Sequence, residues 1–139
     1  MATDPVEREL DPEIVASVVR RYWRGSPHFT HALINADAPA SVHVTPGEAL
    51  IGWYQNPPPL EAWLLVFTTA AIYAVDPKGT TRVGVDSLLG YEFPESKTDT
   101  IDLRILTTEG ERLLRVAGPD IHARQDLFRV LMIIRQLTL

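Results

Sequence analysis

The chain has 139 residues, 45% of them apolar, which is enough for one packed domain and excludes disorder as a whole. Its net charge of −5 leaves no basic footprint for nucleic acid or an anionic membrane, and the absence of cysteine excludes disulfides, thiolate catalysis and cysteine-based zinc sites. Residues 1–9 lack the charged-then-apolar order of a signal peptide, and the longest apolar stretch, Ala62 to Val75, is shorter than the roughly 18 residues that argue for a membrane span, so a soluble cytoplasmic protein is expected.

Asp11-Pro12-Glu13 is a helix start, with Asp11 as N-cap, Pro12 at the first helical position and Glu13 at the favourable end of the helix dipole. Ile14, Val15, Val18, Val19, Tyr22 and Trp23 then recur at helical spacing until Gly25 and Pro27 stop the helix. Its apolar face must dock on the rest of the chain or on a second copy, and Ile14, Val18 and Tyr22 are the residues through which a homodimer would form. Arg20, Arg21 and Arg24 fall in the last turns and complement the dipole. From Ser26 to Thr45 periodicity is lost, and the segment reads as a connector with a short irregular turn around Phe29 to Ile34. The expected division is therefore an N-terminal helix and connector over 1–45 and a β-rich domain over 46–139.

Ala49, Ile51 and Trp53 alternate with Leu50, Gly52 and Tyr54 as in a two-sided strand, and the proline run Pro57-Pro58-Pro59 ends it because proline cannot donate to a ladder. Ala62 to Val75 also suits a buried helix. Its β-branched and aromatic content favours two strands broken near Thr69-Ala70. Asp76-Pro77-Lys78-Gly79 is a tight turn, followed by Thr81, Val83 and Val85 on alternate positions. Tyr91 and Phe93 form another short alternating pair. Ile101, Leu103 and Ile105 alternate with Asp102 and Arg104 as a half-buried strand, and Glu109-Gly110 turns the chain into a last strand from Glu111 to Val116. Asp120 to Leu137 is an amphipathic helix, with Leu127, Phe128, Leu131, Ile134 and Leu137 on one face.

Catalytic signatures are missing from this pattern. The glycines are scattered singly, so no phosphate loop is present, and no serine has nucleophile-elbow context. His28 and His31, with His43 later, are the sole candidate metal set, since imidazoles three apart can share one helical turn; surface or capping histidines are the plainer reading. Asp99, Asp102, Glu109 and Glu111 read as a solvated acidic face. Trp53, Tyr54, Pro57, Pro58, Pro59 and Trp63 form the segment most like a recognition surface, with Asn56 as a further partner-binding candidate, because rigid aromatic side chains with polar tips bind at low entropic cost; aromatic residues also dominate cores.

Gly47-Glu48 leading into Ile51-Gly52-Trp53-Tyr54-Gln55-Asn56, Leu65-Val66-Phe67-Thr68 leading to Ile72-Tyr73, the run Val85 to Pro94, and the closing helix together resemble the small bacterial, GRAM-type pleckstrin-homology-like domains. The resemblance implies an α+β, mostly β fold: a seven-stranded barrel capped by a C-terminal helix, here with an added N-terminal helix. It implies a non-enzymatic module with no cofactor. Lipid-binding members hold headgroups with basic residues in the first hairpin, whereas this hairpin, Gln55 to Glu61, has none. Other members bind peptides between the fifth strand and the C-terminal helix. Tyr91 and Glu92 would lie on that strand, with the Gln125 and Arg129 side of the helix as the facing wall. The expectation is a cytoplasmic protein- or peptide-interaction domain, with a lipid or small-ligand binder and a small histidine- or metal-dependent enzyme as the alternatives.

Overall fold

The computed structural model describes residues 10–33, 38–39, 42–55, 64–92, 101–116 and 121–138. Helix α1, Pro12–Trp23, starts as its sequence dictates: the Asp11 carboxylate accepts from the Glu13 N–H at 2.9 Å, and proline occupies the first position. Gly25, at φ 86°, takes a left-handed conformation that ends it. Val15, Ala16, Val19 and Trp23 form its buried face.

Residues read as an irregular turn are instead a strand, β1, Phe29–His31, paired antiparallel with β2, Leu50–Gln55. Three residues give too short a run for alternation to register. The meander continues through β3, Leu64–Thr68, β4, Ala71–Asp76, and β5, Gly79–Gly84, giving a five-stranded sheet in chain order. The stretch 64–75 is thus two strands, separated at Thr69-Ala70. Thr68 makes the turn: its hydroxyl accepts from the Ala70 and Ala71 N–H groups at 3.2 and 3.0 Å. At the next turn Asp76 accepts from the Lys78 and Gly79 N–H groups at 2.7 and 3.1 Å.

A single 3₁₀ turn, Val85–Ser87, then carries the chain to a second antiparallel sheet. Its strands are β6, Leu88–Glu92, β7, Ile101–Thr107, and β8, Gly110–Val116, again in chain order, and helix α2, Ile121–Leu137, follows. The fold is α+β and mostly β, with eight strands in two antiparallel sheets and two helices, and no closed barrel among the described residues. The eighth strand, relative to the seven expected, is β1.

Both sheets and both helices share one core. Leu65, Phe67, Ile72 and Val83 from the first sheet meet Leu88, Leu103 and Ile105 from the second, Val15 and Val19 from α1, and Val130, Ile133 and Ile134 from α2. The Trp23 ring is completely buried, stacked on Phe29 at 4.8 Å and on Tyr54 at 5.1 Å, with Phe67 edge-on at 5.8 Å. Helix α1 therefore docks on its own chain. Val18 and Tyr22 are half-buried against that core, and Ile14 remains exposed.

Gly52 is what lets Phe29 reach Trp23. A Cβ at this position would come within 2.6 Å of the Phe29 ring and would also press on the Thr30 carbonyl oxygen. Gly52→Ala should therefore destabilise the fold by about 1–3 kcal/mol, the usual range for overpacking, as measured by urea unfolding. An unchanged midpoint would show that β1 is not held against β2 in this way.

Candidate functional site

The two faces of the five-stranded sheet have different covers. Residues Tyr54, Leu65 and Ala74 align across β2, β3 and β4 on the core face. Trp53, Val66 and Tyr73 align on the outer face, and the row continues to Arg82 on β5. The connector lies across this outer face: Val42 is buried with Val66, Ala71 and Tyr73, and Ala38, Val44, Leu50 and Trp53 pack around them.

Glu48, at the end of that connector, pins it in place. One carboxylate oxygen, Oε2, accepts from the Thr68 hydroxyl at 3.0 Å and the Tyr73 hydroxyl at 2.8 Å. The other, Oε1, accepts from Arg82 through Nε at 3.1 Å and through Nη2. The Arg82 guanidinium also lies over the Tyr73 ring, 5.9 Å from its centre. The hydrogen bond to Glu48 raises the Arg82 pKa further above its already high value, outweighing the opposing effect of partial burial. Tyr73 lies close to Thr45 as well, whose N–H donates to the phenol oxygen at 3.3 Å.

A carboxylate offers about four lone-pair directions, and here four donor contacts occupy them. With its side chain only 5% exposed, Glu48 has no oxygen free to activate a substrate. The cluster is a strut between the connector and strands β3, β4 and β5. Sequence reasoning passed over Glu48, although Thr68 and Tyr73, polar groups in an otherwise apolar strand pair, are the signal that a buried partner must exist.

The residues singled out from the sequence separate into different environments. Tyr54 has no exposed surface and belongs to the Trp23 stack, so it is a core residue and unavailable to a partner. Trp53 is half-buried beneath the connector on the opposite face. Asn56, Pro58 and Trp63 lie outside the described residues. His28 stands edge-on to Tyr54 and His31 edge-on to Phe29, His43 is exposed on the connector, and among the described residues no three metal-binding side chains converge.

Tyr91 and Glu92 do share an element, β6. Tyr91 pairs with the buried Ile105 and rests half-buried against the main core. Glu92 points to solvent and pairs with Arg104 at 3.1 Å, which also approaches Glu111 at 3.6 Å. Such exposed pairs contribute about 0–1 kcal/mol each, so this network orders the sheet surface without locking it. Strand β6 stands outermost in its sheet among the described residues, next to β7, and α2 packs beside it. The ladder is irregular between Leu88 and Gly90, where Leu89 stands 62% exposed, and Phe128 on α2 is 59% exposed.

Arg129 does not face β6 as expected. Its guanidinium donates to the Tyr22 and Arg24 carbonyl oxygens at 2.8 and 3.3 Å and so caps the C-terminal end of α1. Helix α2 has two busy sides, and the arginine serves the interhelical one. The Gln125 side chain lies outside the described residues.

Comparison with family models, with curated proteins and with solved structures returns no match for this chain.

The strut makes a specific energetic claim. Tyr73→Phe removes the hydroxyl that donates to Glu48 while keeping the ring under Arg82, and should cost about 0.5–1.5 kcal/mol in urea unfolding. A neutral substitution would mean that Thr68 and Arg82 alone satisfy the carboxylate.

Proposed function

We propose that this chain is a non-enzymatic interaction domain of pleckstrin-homology-like architecture that takes up an extended protein segment along the β6 edge, beside α2. The architecture is supported by the order of elements: the antiparallel meander β2 to β5, the antiparallel trio β6 to β8, then α2, with α1 and β1 as additions at the N-terminal end. The observation that carries the function is the position of β6, outermost in its sheet among the described residues, with an exposed Leu89, a Tyr91 half-buried against the core and a neighbouring helix. An added strand gains main-chain hydrogen bonds from such an edge and side-chain pockets from the flanking helix. Two features favour protein over membrane: the acidic charge balance and a first hairpin without a basic residue.

The test is selection of short random peptides from a displayed library on the full chain, followed by mapping of the selected peptides by amide chemical shifts. Shifts should concentrate in 88–92, and Leu89→Asp, a change in solvent, should weaken binding by about tenfold or more without altering the unfolding midpoint. Peptides that bind elsewhere, or that ignore Leu89→Asp, would overturn the site. Flotation with phosphatidylserine vesicles in place of peptide binding would favour the lipid reading.

A further inference from the structure

The segment Val42–Glu48 lies on the sheet without belonging to it. Among the described residues its backbone-to-backbone hydrogen bonds are local, Val42 N–H to the Pro39 carbonyl at 2.9 Å and Glu48 N–H to the Thr45 carbonyl at 3.1 Å; the Thr45 N–H donates to the Tyr73 side chain, and no backbone-to-backbone bond joins the segment to a strand. The strands beneath are already complete. Val66 is paired on one side with Trp53 and on the other with Tyr73, and Tyr73 is paired in turn with Arg82. Removing the segment would therefore break no ladder.

What holds it is an apolar plug, Val42 with Val44 beside it, and a polar cluster in which Thr68, Tyr73 and Arg82 all donate to Glu48 and Tyr73 accepts from the Thr45 N–H, the Glu48–Arg82 pair being its charged latch. Val42 is 5% exposed among Val66, Ala71 and Tyr73. Glu48 reaches across to Arg82, and because the Arg82 side chain is 43% exposed, part of that attraction is open to screening by salt. Beneath the segment lies a continuous apolar row, with Val66 fully buried, Tyr73 nearly so, and Trp53, Leu64 and Val75 half-buried around them.

We propose that Val42–Glu48 is a hinged strap that opens as a unit while the five-stranded sheet stays paired, and that the Glu48–Arg82 latch sets how readily it opens. Segments held by side chains alone open at lower free energy than laddered strands, and they do so without global unfolding. The device is independent of the β6 edge and stands or falls separately from the peptide-binding reading.

Amide hydrogen exchange on the full chain, followed by NMR, tests it. The Val42, Thr45 and Glu48 amides should exchange faster than the amides of β3 and β4 in the unaltered chain, and faster still as salt is raised. Arg82→Met should accelerate the strap amides by about tenfold or more and abolish their salt response, while β3 and β4 amides change by less than about twofold. Val42→Ala, which removes the plug and leaves the latch, should accelerate the strap amides and retain the salt response. Strap and strand amides that exchange together in the unaltered chain and in both variants would overturn the proposal.

Discussion

The constraint on which the structure depends is that β3 and β4 are apolar on both faces. Leu65 and Phe67 point one way from β3, Val66 and Thr68 the other, and all four are buried; on β4 the same holds for Ile72 and Ala74 against Ala71 and Tyr73. A sheet with one wet face alternates apolar and polar residues, whereas a sheet with two dry faces must find two covers. On the core side the covers are regular elements, α1, α2 and the second sheet. On the outer side, among the described residues, an irregular segment does the work. Irregular backbone brings unpaired polar groups with it, which is why that side carries the polar cluster of Glu48, Thr68, Tyr73 and Thr45.

The core side is organised around Trp23. Burial of its indole against Phe29, Tyr54 and Phe67 ties α1 to β1, β2 and β3 together, and truncation of such a ring typically costs about 3–5 kcal/mol. The indole N–H has no partner among the described residues, a polar cost that the aromatic stack has to offset. Arg129 then closes the joint from the other helix by capping the last carbonyls of α1. Residues 1–45, separable on paper, thus contribute helix α1 to the same core as 46–139. For any self-association through α1, Ile14 is the residue left in solvent, while Val18 and Tyr22 are partly consumed by the intramolecular contact.

The same two-sided burial decides how much was legible in the sequence. The strand β7 alternates cleanly, with Leu103 and Ile105 buried and Arg104 exposed, and its period of two could be read directly. The N-cap at Asp11 and the turns at Asp76-Pro77-Lys78-Gly79 and Glu109-Gly110 were legible too, because they rest on local backbone chemistry. The segment 62–75 was ambiguous for a physical reason: a strand buried on both faces has no period, so only side-chain branching separates it from a helix. Strand β1 was lost because its pairing with β2 is long-range and its length is three residues. The role of Glu48 was lost because its partners stand 20, 25 and 34 positions away, a separation that no local pattern encodes. Tyr54 and Trp53 looked alike as neighbours on one strand, yet alternation sends one to the aromatic core and the other beneath the connector.

Edges complete the argument. Among the described residues the two sheets end in four outer strands, and exposed edges invite pairing unless they are short, charged or covered. Strand β1 is short. Strand β5 begins with the polar run Gly79-Thr80-Thr81-Arg82, exposed throughout and adjacent to Lys78. Strand β8 opens with Glu111 and Arg112, both engaged in ion pairs. Strand β6 differs from these three. Its one charged residue, Glu92, is neutralised by Arg104, and the rest of it is Leu88, Leu89, Gly90 and Tyr91. Helix α2 lies beside it and supplies a wall. The register shift between Leu88 and Gly90 falls at Leu89, whose apolar side chain is exposed. Among the described residues β6 is thus an outer strand flanked by α2 and carrying an exposed leucine, whereas Tyr54 of β2 is enclosed in the aromatic core.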